Sequence, residues 1–104
     1  MEGSPFVGFL GDYPRIRVLD YLLENSKIEH SKTELAKKAK ISFNTLETFW
    51  EELISGRVLV HAKKVGTTQF YRLNAENEFV KHLMDLDERL LLQQLKELEA
   101  KISD

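Results

Sequence analysis

The chain is 104 residues long, 42% hydrophobic and 31% charged, with 15 Lys and Arg against 17 Asp and Glu and a formal net charge of −2. That is the size and balance of one ordinary globular domain. The absence of cysteine excludes a disulfide framework, a thiolate nucleophile and a cysteine metal site, as suits a reducing compartment.

No apolar run reaches the length of a membrane span and no basic-then-apolar leader is present, so a cytoplasmic protein is expected. Charge is unevenly distributed. Residues 1–74 hold 11 Lys and Arg against 9 acids, and residues 75–104 hold 4 against 8. The acid excess belongs to the C-terminal segment, and the mildly basic remainder permits a nucleic-acid partner without requiring one.

Residues 1–12 read as an apolar N-terminal arm around "SPFVGFLG", too short and too broken by glycine for a membrane span or a signal. In "GDYPRIRVLDYLLENS" the pattern turns helical: Asp12 is placed to cap, Pro14 suits the first turn, and Ile16, Leu19, Leu22 and Leu23 fall on one face. "SKTELAKKA" opens with the Ser31 and Glu34 pair of a capping box and buries Leu35, Ala36 and Ala39 over about two turns. A third helix starts at the N-cap Ser42 and ends at Gly56, which is expected to take the left-handed C-terminal conformation. Its apolar side is Phe43, Leu46, Phe49, Trp50, Leu53 and Ile54, so Phe49 and Trp50 read as core anchors rather than a base-stacking platform.

The period then shortens to about two residues. "RVLVHAKK" and "QFYRLN", joined by a turn at "VGTT", predict a β-hairpin with Lys63 and Lys64 near its tip. From Asn74, expected to cap, residues 75–104 predict one long helix. Phe79, Leu83, Leu86 and Leu90 form a stripe that can pack on the domain, and Leu91, Leu95, Leu98 and Ile102 form a second, rotated stripe. The economical partner for the second stripe is another copy of the chain, with Phe6 and Phe9 of the arm closing over the interface. The alternative is that both stripes fold back on one small core.

Three helices, a hairpin and a long helix make a mainly α fold with a small β-hairpin. In that order, "FLGDYPRIRVLDYLLEN", "SKTELAKKAKIS", "NTLE" with its apolar helix, "GRVLVHAKKVGTTQFYRLN" and "EFVKHLMDLDERL" resemble small archaeal winged helix-turn-helix transcriptional regulators. These are distant relatives of the arsenic-repressor and multiple-antibiotic-resistance regulator types. The resemblance runs from about Phe6 to Leu91 and implies a winged helix-turn-helix domain over residues 13–74, a dimerising helix over 75–104 and binding to duplex DNA. It departs at two points. The cysteines or paired acids and histidines of metal-sensing relatives are missing, and His30, His61 and His82 lie on separate elements without ligand spacing, so no metal and no cofactor is expected.

The second departure is the recognition helix itself, where relatives often place Arg or Gln and this chain has Phe43, Glu47 and Thr48. On a helical wheel the direction opposite the apolar side falls near Thr48, flanked by Asn44, Thr45 and Glu52, with Glu47 nearer the edge. Phe43, Asn44, Thr45 and Thr48 are therefore the candidates for base edges. Lys32, Lys37, Lys38, Lys40, Arg57, Lys63 and Lys64 are the candidates for phosphates. The acids leave a second reading open, a winged-helix module that binds protein instead of DNA. No H-E-x-x-H, phosphate loop, nucleophile elbow or carboxylate cluster supports an enzyme, and no catalytic residue is assigned.

Overall fold

A computed structural model describes residues 4–102. The order is α1 (Pro5–Leu10), α2 (Pro14–Glu24), β1 (His30–Ser31), α3 (Lys32–Lys38), α4 (Phe43–Ser55), β2 (Leu59–Val65), β3 (Thr68–Leu73) and α5 (Glu78–Ile102). The mainly helical fold with a hairpin and a long last helix is as the sequence implies. The three strands form an antiparallel sheet in the order β1-β3-β2. Residues 1–3 of the expected arm and 103–104 of the expected last helix lie outside the described residues.

The arm is a helix. Ser4 caps it by accepting from the Val7 amide, and Gly11 closes it at φ 106° with the Tyr13 ring beneath, where a Cβ would lie 2.6 Å from a ring carbon. Phe6 is wholly buried in the core of the single chain, packed in the cluster that holds Leu22, Leu46 and Val80, whereas Phe9 is 70% exposed. The expectation that both phenylalanines close over a second subunit is thus corrected for Phe6. One turn of α1 separates a core residue from a surface one.

Pro14 does occupy the first turn of α2, but the N-cap is Tyr13, which makes no side-chain cap, and Asp12 instead grips Arg17 through both carboxylate oxygens. That pairing holds the Asp12 carboxyl below its ordinary range and raises Arg17, the side-chain hydrogen bond being the main cause. At α5 the cap is Asn77 rather than Asn74: its Oδ1 accepts from the amides of Phe79 at 2.7 Å and Val80 at 3.3 Å. Starting the helix there turns Val80 fully into the core and leaves Phe79 55% exposed, so the inner stripe is Val80, Leu83, Met84, Leu86 and Leu90.

Two helix ends reverse the chain through basic residues. After α4 the Val58 amide donates to the Leu53 carbonyl at 2.9 Å and the Arg57 amide to the Ile54 carbonyl at 3.1 Å, a Schellman motif whose left-handed residue is Arg57 at φ 57°. Gly56, expected in that role, is right-handed at φ −79°. After α3 the same pattern places Lys40 at φ 62°. A side chain in this region costs on the order of 1 kcal/mol relative to glycine. Both turns are held by hydrogen bonds to the strained residue's carbonyl: Asn74 and Asn77 donate to Arg57, and Arg17 donates to Lys40 at 3.0 Å.

The sheet carries the wing. Gly66, at φ 64°, supplies the positive angle that a two-residue hairpin between Val65 and Thr68 requires. A bulge between His61 and Lys63 interrupts the register, with His61 opposite Tyr71 and Lys63 opposite Phe70. The Tyr71 ring meets Trp50 edge-on at 5.0 Å and ties the base of the wing to α4.

The short strand β1 brings His30 into the interior. Its Nε2 is 2.6 Å from the Tyr21 hydroxyl, and Nδ1 is buried without a hydrogen-bond partner. Burial lowers the His30 pKa, with Lys38 adding in the same direction and Glu34 opposing. A His whose folded pKa lies below its unfolded value of about 6.5 binds fewer protons folded than unfolded, so its contribution to stability is lost as pH falls through that range. Denaturant unfolding of wild type and His30→Gln at pH 7.5 and pH 5 checks this. The wild type is expected to lose more stability on acidification than the variant, and equal losses would refute it.

Candidate nucleic-acid interface

The α3-turn-α4 unit is built by two serine caps. Ser31 accepts from the Glu34 amide at 3.1 Å, and Ser42 accepts from the Thr45 amide at 3.0 Å. Leu46, Phe49, Trp50 and Leu53 drive one side of α4 into the core. Each full burial of such a side chain contributes about 1.5–3 kcal/mol, which fixes the helix as a rigid platform. The outward line of α4 is Asn44, Thr48 and Glu51, with Phe43 at the leading end, all exposed, and Glu47 and Glu52 are exposed on its flanks.

Thr45 is half-buried and its Oγ1 accepts from the Ser42 hydroxyl at 2.7 Å, so it is more a capping partner than an outward group. Thr48 is outward, and its hydroxyl donates to the Thr45 carbonyl at 2.6 Å. Of the four residues expected to face bases, Phe43, Asn44 and Thr48 share the exposed face and Thr45 stands at its flank.

The acids of α4 do not act as a group. Glu47 pairs with Lys32 at the start of α3, and the same ammonium lies 5.4 Å from the Phe43 ring centroid and 4.8 Å from that of Trp50. Glu52 accepts two hydrogen bonds from Arg15 of α2, at 3.1 and 2.9 Å, and the guanidinium lies 5.1 Å from the Phe49 ring centroid. This fork holds the Glu52 carboxyl below its ordinary range. Two acids on opposite flanks of the helix are each neutralised by a base from a neighbouring helix. Glu52, which a wheel places outward, is tied to α2. The remaining acid, Glu51, is exposed and makes no ion pair or hydrogen bond among the described residues.

The cations expected to face phosphates divide into groups. On the wing, Lys63 lies over Phe70 and pairs with Glu29 at 3.2 Å, Arg72 approaches the same carboxylate at 4.0 Å, and Lys64 is exposed without an ion pair among the described residues. Lys37 and Arg57 are likewise exposed and unpaired among the described residues, whereas Lys38 and Lys40 line a shallow cleft with Asp12, Asp20 and Glu24. Lys32 is engaged by Glu47 as described. An exposed pair such as Lys63–Glu29 is worth about 0–1 kcal/mol, so another anion can displace the carboxylate there at little cost.

Arg15 is the residue that sequence reasoning missed. Its only signal was a position one residue into α2, and nothing in a one-dimensional pattern says that α2 crosses α4 at Glu52.

A helix-turn-helix whose second helix is anchored in the core by Phe49 and Trp50, followed by a two-stranded wing and a long terminal helix, defines a winged-helix domain. The solved structure of NadR in complex with 4-hydroxyphenylacetate has the same fold: the match has a TM-score of 0.54 at 22% identity and covers 96% of this chain and 80% of that one. That likeness is one of fold: a winged helix with a long C-terminal helix. No family model and no curated protein matches the sequence.

Proposed function

We propose that the chain is a transcriptional regulator that binds duplex DNA through α4 and the β2–β3 wing, as a homodimer joined by α5. The observation that carries this reading is the pairing of Glu47 with Lys32 and of Glu52 with Arg15. It removes the main electrostatic objection to an acidic recognition helix, because two of its three acids present no uncompensated charge to a polyanion. The exposed strip of Asn44 and Thr48, preceded by Phe43, then offers an amide, a hydroxyl oxygen and apolar carbon to base edges. Lys37, Arg57 and Lys64, unpaired among the described residues, supply cations for phosphate, and Lys63 supplies one that exchanges its carboxylate for a phosphate.

No helix among the described residues is long and apolar enough to cross a membrane, and a cytoplasmic DNA-bound protein is the location proposed.

The test is the salt dependence of binding to a fluorescent random-sequence duplex. Lys63→Ala with Lys64→Ala is expected to weaken all duplexes alike and to flatten the plot of log affinity against log salt by about 0.9 for each phosphate no longer neutralised. An unchanged slope removes the wing from the interface. The second reading, a winged-helix module that docks on protein, rests on Glu51, the acid at the C-terminal end of the exposed strip that has no ion pair among the described residues. It becomes the conclusion if wild type binds no duplex at low salt.

A further inference from the structure

The outward strip of α4 is poor in hydrogen-bond donors. The Thr48 proton is taken by the Thr45 carbonyl, a group that only accepts, so Thr48 presents lone pairs and a methyl group. Glu51 has acceptors alone. The two charged donors nearest the helix, Lys32 and Arg15, are held on its flanks by Glu47 and Glu52. Among the described residues of this strip, Asn44 is the one whose side chain brings an exposed N–H.

Acceptors without donors are complementary to one kind of base edge. Guanine shows N7 and O6 in the major groove, both acceptors, and a carboxylate set against them leaves lone pairs facing lone pairs. Adenine sets its N6 amino group beside the acceptor N7, so a carboxylate meets one donor and one acceptor. Cytosine shows its N4 amino group with no acceptor beside it on the same base.

Resting on the reading of α4 as the groove-entering helix, we infer that Glu51 is a specificity-determining residue that accepts a hydrogen bond from the N4 amino group of cytosine. Its placement supports this role over a general repulsive one. Glu51 lies three residues beyond Thr48 and seven beyond Asn44, on the same exposed side, whereas the acids displaced from that line, Glu47 and Glu52, are both compensated. An unpaired carboxylate facing the groove weakens attraction to any duplex and restores affinity only where cytosine meets it. It trades strength for discrimination.

That trade sets a signature that a purely structural residue does not have. The full-length chain is first used to select duplexes from a random pool. Binding is then compared for the selected duplex, the random pool, the selected duplex with N4-methylcytosine for cytosine, and the selected duplex with 7-deazaguanine for guanine. The methyl group removes the major-groove N–H, and the deaza base removes the guanine N7 acceptor.

For wild type, N4-methylcytosine is expected to weaken binding roughly tenfold to a hundredfold, the range of one good base contact, and 7-deazaguanine to change it little. Glu51→Ala is expected to bind the random pool more tightly, to bind the selected duplex less tightly relative to that pool, and to be indifferent to N4-methylcytosine. Glu51 is exposed, so equal melting of variant and wild type verifies the fold. If Glu51→Ala selects the same sequence as wild type, or if 7-deazaguanine and not N4-methylcytosine abolishes preference, the cytosine contact is refuted while DNA binding stands. If wild type binds none of the duplexes, the DNA-binding reading itself fails, and the cytosine contact with it.

Discussion

Replacing Phe6 by Ala is expected to lower the unfolding free energy by about 3–5 kcal/mol, the range for deleting a wholly buried phenylalanine ring and leaving its cavity. The size of the effect comes from where α1 sits. Its six residues cannot hold a helix alone, since nucleation is costly and isolated helices need about 12–15 residues to be even marginal in water. The Phe6 ring is therefore the main link between α1 and the core it shares with Val18, Leu22 and Val80. Removing the ring creates a void and also frees the segment that closes over α2 and α5. Urea titration with tryptophan emission reports the change, because Trp50 is buried in the same core cluster. Phe9→Ala is the companion variant. Its ring is solvent-facing in the single chain, so at low protein concentration its effect is expected within about 0.5 kcal/mol, as for ordinary surface sites. A loss at Phe9 as large as at Phe6 would mean that α1 packs otherwise.

Elements with strong local signals were legible in the sequence. Ser31 and Ser42 cap where their spacing to Glu34 and Thr45 says they should, because an N-cap is decided within four residues. The buried side of α4 from Leu46 to Leu53 and the β2–β3 hairpin follow from periodicity alone, whereas Phe43, expected on that side, is 41% exposed. What escaped depends on partners distant in sequence. The strand β1 has two residues and exists because β3 lies beside it, so it carries no period to detect. The helical state of the arm depends on a core that no local pattern reveals, since Gly8 and a run of apolar residues read as well for a loop. Choosing Asn77 over Asn74 as a cap shifts the start of α5 by less than one turn, yet it exchanges Val80 for Phe79 in the core.

The candidate interface shows the same division. A wheel places Asn44 and Thr48 outward and the structure agrees, because that depends only on the apolar side being buried. The same wheel assigns charge to the face without knowing that Arg15 and Lys32 arrive from other helices to take Glu52 and Glu47. An apparently acidic helix is close to neutral along its flanks. Each clamp joins α4 to a different neighbour, Arg15 from α2 and Lys32 from α3.

Leu95→Asp is expected to convert the proposed homodimer to monomer. From Glu78 to Leu90, α5 packs Val80, Leu83, Met84, Leu86 and Leu90 against the domain. Beyond that point Leu91, Leu92, Leu95 and Leu98 are 47–49% exposed and Ile102 is 82% exposed. The spacing of 91, 95, 98 and 102 is the four-three-four rhythm of a coiled-coil seam, and its positions stay on one line along the helix. Each leucine already half-covered by its own helix gains roughly 1 kcal/mol when the rest is buried, and a symmetric pairing counts every position twice. An aspartate in the middle of that seam removes two such contributions and faces a second carboxylate in a dry interface, a cost of several kcal/mol per dimer.

Sedimentation equilibrium is expected to give twice the chain mass for wild type and the single-chain mass for Leu95→Asp at tens of micromolar, the working range for a modest dimer. Far-ultraviolet circular dichroism should change little, because the domain core lies upstream of Leu95. The variant should also lose affinity for selected DNA more than for random duplex, since two linked recognition helices gain from each other only when both meet a half-site. A wild type that sediments as a monomer in this range would remove the second copy as the occupant of the outer α5 stripe.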